Sequence, residues 1–348
     1  MAYTTINKST DHFNTLKYTG NGSTQSITGV GFQPDWVWIK SRGAADNHNL
    51  FDATRGANKY IYSNDNQAEV TDTNRFNSFD SDGFTLGDDE DVNENGDTLV
   101  SWNWKANGTG SSNTDGSINT TYTSVNTTAG FSICKWTGTG SAGTIGHGLG
   151  ATPGMIMFKN LSTSNAWVVW NKTFNARTRL VLNGTNAVST SQTGFMNDTL
   201  PTSSVIHLKD DSDTNGSGNQ MIAYVFAEKT GYSKFSSYTG NGNANGTFVY
   251  TGFKPAWLMI KQSSASGESW FMYDNKRSVF NVVDDALNAN SSTAEFTGSG
   301  NNDLDILSNG FKLRATDSRQ NASGATYIYM AFAEAPIVGS NNIPCTAR

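Results

Sequence analysis

Apolar residues along this chain come in short runs of about five, separated by stretches of Gly, Asn, Ser and Thr. The runs are rich in aromatic and β-branched residues, as in "GFSICKW" (130–136) and "LVSWNWKA" (99–106). No stretch keeps a 3.6-residue apolar period over the roughly 10 to 12 residues that indicate a helix. The pattern therefore predicts an all-β chain of short strands joined by polar turns.

One recurring run has apolar residues on both faces of its strand. In "WVWIK" (36–40), Trp36 and Trp38 point to one face while Val37 and Ile39 point to the other. The runs "MIMFK" and "WLMIK" have the same character. An ordinary core strand is one interpretation. In the other, one face closes a sandwich core and the second face meets another layer, a neighbouring repeat or another subunit.

Three segments of the chain show the same landmarks in the same order. Each opens with an aromatic residue, Thr and Gly, in "YTGNGS", "WTGTGS" and "YTGNGN". Pro34, Pro153 and Pro255 follow in register before an apolar strand, and an aromatic strand closes each segment. This regularity indicates a threefold tandem repeat. At about 100 residues and seven or eight strands, each copy fits a jelly-roll-like β-sandwich domain.

Composition sets the boundaries between the copies. The stretch "NGTGSSNTDGSINTTYTSVNTT" has almost nothing to bury and is interpreted as a linker, whereas the second junction, near Lys229, is short. We therefore expect the first two copies to be loosely coupled and the last two to pack closely. The two chain ends are candidates for attachment to neighbouring molecules. The predicted segments are an N-terminal arm (1–15), repeat 1 (16–106), the linker (107–128), repeat 2 (129–229), repeat 3 (230–335) and a C-terminal tail (336–348).

Charge and composition exclude several classes of function. The 348 residues include only 24 Lys and Arg, and the net charge of -6 offers no surface for releasing the counterions of nucleic acid. The opening "MAYTTINKST" lacks the apolar core of a secretory signal, and no apolar run reaches the roughly 18 residues of a membrane span. We expect no nucleic-acid partner and no membrane insertion. Cys134 and Cys345 have no pairing pattern, so both are expected to be free thiols.

The sequence contains no constellation that indicates catalysis. None of the four histidines recurs at an equivalent place in all three copies, and "GxSxG", "HExxH" and "CxxC" are absent. His147 lies in the glycine turn "TIGHGLG" and is interpreted as a solvated loop histidine. We therefore expect no enzymatic activity, no catalytic residues and no cofactor.

Aromatic side chains raise the alternative of carbohydrate or receptor binding. A flat sugar site needs exposed aromatic residues flanked by Asn, Asp or Gln. Trp170, Trp270 and Tyr273 precede polar segments and are the candidate contact residues for a ligand or partner. The tryptophans of the repeated strands are interpreted as core.

Two acidic loops match the first half of a calcium-binding loop, with oxygen side chains at positions 1, 3 and 5 followed by Gly. They are "DVNENG" (91–96) and "DSDTNG" (211–216). An EF-hand needs Glu at position 12, where the count places Trp102 or Ile222, so that interpretation is excluded. We expect hairpin turns without a bound metal. The third copy, "ATDSRQNASG", has Arg319 in place of one oxygen ligand.

The repeated "YTGNGS…GFQPDWVWIKSR…DGFTLGDDEDVNENGDTLVSWNWKA" resembles a repeat of tailed-bacteriophage virion proteins, often labelled tail fibre or structural protein and found particularly in marine phages. The opening "MAYTTINKSTDHFNT" is similar to the start of such proteins. The resemblance implies a β-rich module on the particle exterior, made in the host cytoplasm without a signal peptide. It implies no catalytic residues.

Three functions remain open at this point. The first is a structural protein in a tail-fibre or receptor-binding assembly, used for host attachment. The second is a capsid decoration (cement) protein, and the third is a free carbohydrate-binding module or glycan hydrolase. The expected partners are other virion proteins and a host-surface glycan or receptor. Three units in one chain can form a pseudo-threefold monomer or three stacked layers of a trimer. The two-faced apolar strands favour extensive contacts, and we expect a homotrimer.

Overall fold

The computed structural model describes residues 4–297, 300–334, 337–338 and 344–345. Its strands pair antiparallel in several sheets, and the predicted all-β class is confirmed. Helical structure in the described residues is limited to a 3-10 turn, Ser9–Asp11, and two helices of four residues each. The strands fall into three groups along the chain.

The first group forms a six-stranded sheet in the order β1-β9-β3-β4-β5-β6 and a three-stranded sheet in the order β2-β8-β7. Its elements are β1 (Phe13–Thr19), β2 (Gln25–Thr28), β3 (Trp36–Ser41), β4 (Asn49–Asp52), β5 (Lys59–Tyr62), β6 (Val70–Thr71), β7 (Phe76–Asp80), β8 (Gly83–Leu86), α1 (Glu90–Asn93) and β9 (Thr98–Trp104).

The second group forms a six-stranded sheet in the order β10-β11-β17-β13-β14-β15 and a two-stranded sheet, β12-β16. Its elements are β10 (Tyr122–Asn126), β11 (Phe131–Thr137), β12 (Gly143–Gly146), β13 (Met155–Asn160), β14 (Val168–Asn171), β15 (Leu180–Val181), β16 (Val205–Leu208), α2 (Ser212–Asn215) and β17 (Gln220–Phe226).

The third group forms a five-stranded sheet in the order β18-β25-β20-β21-β22 and a three-stranded sheet in the order β19-β24-β23. Two short strands that pair with each other follow it. The elements are β18 (Ser233–Thr239), β19 (Phe248–Tyr250), β20 (Pro255–Gln262), β21 (Trp270–Asp274), β22 (Leu287–Asn288), β23 (Leu304–Leu307), β24 (Gly310–Leu313), β25 (Thr326–Ala333), β26 (Ile337–Val338) and β27 (Pro344–Cys345).

The three large sheets share one strand order. The order β1-β9-β3-β4-β5 of the first group occurs again as β11-β17-β13-β14-β15 and as β18-β25-β20-β21-β22. A small sheet accompanies each large one and supplies the second layer of a sandwich. We refer to these groups as the first unit (13–104), the second unit (122–226) and the third unit (233–333).

Both faces of the two-faced strands are buried, and they enter different cores. Trp36 and Trp38 of β3 belong to a central core that all three units share, whereas Val37 and Ile39 belong to the core between the two sheets of the first unit. The equivalent strands β13 and β20 divide their residues in the same way. The second face therefore meets neighbouring units of the same chain. No second chain is needed to cover these faces, and the homotrimer stays a prediction.

Aromatic rings in the central core join each unit to both of the others. The Trp36 ring stacks on Tyr224 of the second unit, with centroids 4.5 Å apart. Trp104 meets Trp257 of the third unit edge to face at 5.6 Å. The third contact is between Phe226 and Phe332, at 5.9 Å. The units close on one another as a triangle, which buries apolar surface on every side.

Backbone hydrogen bonds repeat this cyclic arrangement at the periphery. In each case an N–H of one unit donates to the carbonyl that follows the two-faced strand of the next unit. The three bonds are Glu69 N to Leu161 O at 3.0 Å, Val188 N to Ser263 O at 2.9 Å and Glu295 N to Arg42 O at 2.9 Å.

Two expectations about the chain segments are wrong. Residues 107–128 are not a bare linker, because they contain β10, which pairs with β11, and Ile118 packs against the core of the second unit. The first and second units are not loosely coupled, because Trp36 and Tyr224 share the central core. An extended Ser- and Thr-rich segment can satisfy its backbone N–H and C=O groups by pairing with a strand even when it buries little apolar surface.

The predicted N-terminal arm also differs from the structure. β1 begins at Phe13, and both Phe13 and Ile6 lie in the central core, so residues 4–15 belong largely to the folded body. Of the predicted tail, 336–348, all but β26 and β27 lies outside the described residues. Cys134 is a buried free thiol, and the side chain of Cys345 also lies outside them.

Candidate functional site

The three aromatic residues predicted to contact a ligand are buried, so that prediction is wrong. Trp170 is 2% exposed, Trp270 1% and Tyr273 0%. Trp270 lies in the central core and donates from Nε1 to the carbonyl of Val181 in the second unit, at 2.9 Å. Each of these residues follows the register of its strand into a core, which the polar residues after it do not reveal.

His147 is buried as well, in contrast to the predicted solvated loop position. Its Nδ1 accepts a hydrogen bond from the backbone N–H of Leu149 at 3.3 Å, and its Nε2 lies 3.2 Å from the carbonyl of Thr202. Burial lowers the pKa of His147. The ring is a neutral bridge between two loops.

The acidic loops are short helical turns and not hairpins. α1 and α2 begin after Asp89 and Asp211, whose side chains accept from the N–H two residues on, at 3.0 and 2.8 Å. The strands on either side, such as β8 and β9, belong to different sheets. The turn therefore carries the chain from one layer of the sandwich to the other, and the capping carboxylate starts it.

One asparagine in each of these two turns, and one in the matching loop of the third unit, binds the repeated opening motif. The side-chain oxygens of these asparagines accept backbone N–H groups of the "TGNG" or "TGTG" turn at 3.0 Å in every unit, and their Nδ2 groups donate to nearby carbonyls. The asparagines are Asn93, Asn215 and Asn321, and their N–H donors are Asn21, Thr139 and Asn241. The opening motif recurs because its backbone is bound here.

Five of the six side chains at the calcium-like positions already have partners in the protein, and Asn95 is exposed. Arg75 binds Asp89 and Asp91, each at 2.8 Å, and Arg179 binds Asp211 and Asp213 in the same way at 2.6 and 3.1 Å. A guanidinium that bridges two carboxylates supplies the positive charge a cation would bring.

A separate acidic cluster lies beside the first turn. Asp46, Glu94 and Asp97 each offer one oxygen atom within 4.8 Å of the others. Glu94 is exposed, and the other two are partly exposed. One oxygen each of Asp46 and Asp97 is buried without a hydrogen-bond partner. Groups of acidic residues are common on proteins without an ion, so this cluster does not by itself make a metal site.

Exposed large apolar side chains are concentrated on β19 of the third unit and on the segment that lies beside β23. Phe248 and Tyr250 of β19 are 44% and 55% exposed, and Phe280 is 78% exposed. Val279 and Val282 are exposed in the same segment as Phe280. Leu200, in the second unit, is the other exposed large apolar residue of the described chain.

Hydrogen bonds place these residues at the two opposite edges of one sheet. β19 pairs with β24, and β24 pairs with β23. On the far side of β23, Asn281 exchanges hydrogen bonds with the backbone of Ile306, at 2.9 and 3.0 Å. Val249 of β19 is buried, so its neighbours Phe248 and Tyr250 point to the outer face. We call Phe248 and Tyr250 the outer aromatic face.

The equivalent face of the first unit is polar. Register places Ser26 and Thr28 of β2 where Phe248 and Tyr250 stand in β19. The Ser26 hydroxyl lies 2.9 Å from that of Thr85, which donates to Asp80 at 2.7 Å. A hydroxyl network of this kind is stable in water and needs no partner.

The equivalent face of the second unit is covered by the chain itself. Ile118 donates its backbone N–H to the carbonyl of Thr144 in β12 at 2.9 Å and forms a parallel bridge with Ile145. A side chain at Gly146 would collide with Asn113, which shows how closely this segment lies on the sheet. The outer face of the small sheet is thus polar in the first unit, covered by the chain in the second unit and apolar in the third unit.

Among the described residues β19 is an edge strand, and an apolar sheet face beside such an edge is suited to binding. It presents flat rings for contact and backbone groups for pairing. This site was not among the predicted ones, although the sequence contains a signal for it. "FVY" (248–250) aligns with "SIT" (26–28), and only the outward positions change from hydroxyl to aromatic.

A family model described as "Domain of unknown function (DUF7483)" matches residues 8–336. No curated protein and no solved structure matches the chain. Within the described residues, no helix has both the length and the apolar character needed to cross a membrane.

Proposed function

The chain belongs to the DUF7483 family of domains of unknown function, and we propose that it is a non-enzymatic structural protein of a tailed-phage particle, part of a tail-fibre or receptor-binding assembly. In this proposal the outer aromatic face binds the partner, and the rest of the molecule holds that face in position.

The third unit differs from the first on the outer face of its small sheet, and this difference is the main support for the proposal. Phe248 and Tyr250 are exposed where the first unit has Ser26 and Thr28, on the same face of the same sheet. Exposed rings beside one another are costly in water and mark interaction sites when they are concentrated in one patch. A site present in one unit of three gives the particle a single directed contact per chain.

The buried interior supports a structural role. The three units share one core, so no unit can move without separating stacked rings such as Trp36 and Tyr224. His48 and His147 are both fully buried, and burial lowers the pKa of each. Neutral histidines enclosed in this way serve packing and hydrogen bonding rather than proton transfer to a substrate.

Mass spectrometry of purified particles tests the proposal, because copy number separates the possible positions. We expect tens of copies or fewer per particle, as for a tail component. Hundreds of copies, with a loss of capsid stability on their removal, would favour the decoration role instead. Absence from the particle would overturn both.

A competition assay tests the role of the outer aromatic face. Soluble protein in excess is expected to block adsorption of the particle to host cells, and the double variant Phe248→Ser/Tyr250→Thr is expected not to. The variant carries the residues that the first unit has at these places, so it retains a compatible sheet. Equal blocking by both proteins would contradict a role for this face in attachment.

A further inference from the structure

We propose that the edge of β19 binds an extended, acidic peptide segment of a partner protein, which joins the small sheet of the third unit as a further strand. This inference rests on the proposed function, because it names the partner chemistry of the outer aromatic face. Contacts, homology between units and charge each support it.

The edge of β19 is open in the described part of the chain. β19 pairs with β24 on one side, and no described strand pairs with its other side. An unpaired edge presents backbone N–H and C=O groups in the spacing that another strand requires. The rings of Phe248 and Tyr250 stand beside this edge and would cover apolar side chains of the added strand.

The second unit already contains such an added segment. Ile118 pairs with β12 in parallel orientation, with its N–H on the carbonyl of Thr144, and the backbone N–H of Ser117 donates to the Thr144 hydroxyl at 2.9 Å. Register places Phe248 at the position of Thr144. The chain before the third unit has no comparable segment, since β18 begins seven residues after β17 ends.

Two lysines give this edge a positive charge. The ammonium group of Lys234 lies 5.6 Å from the centre of the Tyr250 ring, and Lys312 pairs directly opposite Phe248. Neither lysine has a carboxylate within 4.0 Å in the described residues, and Asp305, opposite Lys312, binds Arg314 at 3.1 Å. Acidic side chains in the added strand would complement these charges.

A peptide fits these observations better than a glycan does. A sugar ring can stack on Tyr250 or Phe248, yet it leaves the backbone of the edge unpaired. An extended peptide satisfies the backbone and covers the rings at once. In the second unit a peptide segment also pairs with the equivalent edge of the small sheet, through a bridge at Ile118.

A peptide in trans tests the inference with the full-length protein. The probe is a fluorescently labelled "SNTDGSINTT" (112–121), the segment that lies on β12. We expect measurable binding by anisotropy, tighter binding of an Asn119→Asp peptide and weaker binding of an Asp115→Lys peptide. Methylation of the backbone nitrogen of Ile118 should weaken binding, since it removes the donor that pairs with the edge carbonyl.

The matched protein variant is Phe248→Ser/Tyr250→Thr, with an unchanged thermal midpoint as the check on folding. We expect the variant to bind the peptide at least tenfold more weakly than wild type does. Adding peptide should protect the amides of residues 247–251 from hydrogen exchange in wild type, and this protection should be lost in the variant. Equal affinity of the variant would overturn the inference. So would binding of a hexasaccharide without any peptide binding, or dimerisation through this face in sedimentation. None of these results depends on whether the protein is found in the particle, so the proposed function is tested separately.

Discussion

The hydroxyl of Tyr224 donates a hydrogen bond to Oδ2 of Asp52 at 2.7 Å, and this bond joins the second unit to the first inside the central core. The same acceptor oxygen receives Nε of Arg55 at 2.5 Å. The bond between Trp102 Nε1 and Asp274, at 3.0 Å, takes the equivalent place between the first and third units. Two of the three junctions therefore bury a carboxylate that a donor from the neighbouring unit satisfies.

At the junction between the second and third units, the equivalents of Tyr224, Asp52 and Arg55 are all different residues. Register places Met330 at the position of Tyr224, and Asn171 at the position of Asp52. Phe174 stands in the sequence where Arg55 stands in the first unit. The donor, the charge and the counter-charge are thus lost together. This is the expected result when a buried charge is not retained, because an unpaired one is costly.

Removal of the Tyr224 hydroxyl should weaken the contact between units. We expect Tyr224→Phe to lower the free energy of unfolding by about 1.5–3 kcal/mol, the usual contribution of a hydrogen bond to a charged group. Urea unfolding measures this. Tyr250→Phe is the control, since it makes the same chemical change at an exposed ring. Equal stabilities of the two variants would show that the buried bond contributes nothing.

Asn93 of α1 should contribute more to stability than Asn95 of the same loop. Asn93→Ala leaves the backbone N–H of Asn21 and the carbonyl of Gly87 without their partners, so we expect a loss of about 2 kcal/mol or more. Asn95→Ala, at an exposed position in the same loop, should change stability by less than about 0.5 kcal/mol. A thermal scan of both variants decides the point, and similar losses would argue against the role of Asn93.

Chelation should leave the protein unchanged. Arg75 and Arg179 hold the carboxylates of α1 and α2, so no cation is needed to neutralise these turns. We expect the same thermal midpoint in EDTA and in millimolar calcium. A midpoint several degrees lower in EDTA would contradict this and would point to the cluster of Asp46, Glu94 and Asp97.

Stability should depend on pH through three buried lysines at equivalent positions, Lys40, Lys159 and Lys261. Burial lowers the pKa of each from 10.5 to about 8. Below pH 8 each lysine is protonated in both states, and the cost of burying the charge is present. As the pH rises from 8 towards 10.5, only the unfolded chain keeps the proton, so this cost is progressively relieved.

Lys261 is the best position for the measurement, because its ammonium group donates to one carbonyl, that of Gln262 at 2.6 Å. Wild type and Lys261→Met should differ in free energy of unfolding most at pH 7.5, with Met the more stable. The difference should shrink towards pH 10, and the ionisation of tyrosines cancels in the comparison. A difference that stays constant or grows with pH would contradict the lowered pKa.

Much of the fold is visible in local sequence. The strands follow from runs such as "WVWIK", and the two-faced character of that run showed that both sides of β3 had to be covered. The candidate site was not found in the same way. Trp170 and Tyr273 were selected from their polar sequence neighbours, yet strand register buries both, and the exposed pair is Phe248 and Tyr250.

The sequence by itself determined the all-β class, the repeated landmarks and which strands are apolar on both faces, because these depend on residues within a few positions of one another. Tertiary structure alone decided what covers each face. The partners of Trp36 and Asp52 lie in another unit of the chain, and the cover of β12 comes from a segment that resembles a linker. Such contacts are set by how three sheets close around one core, which spacing along the chain does not specify.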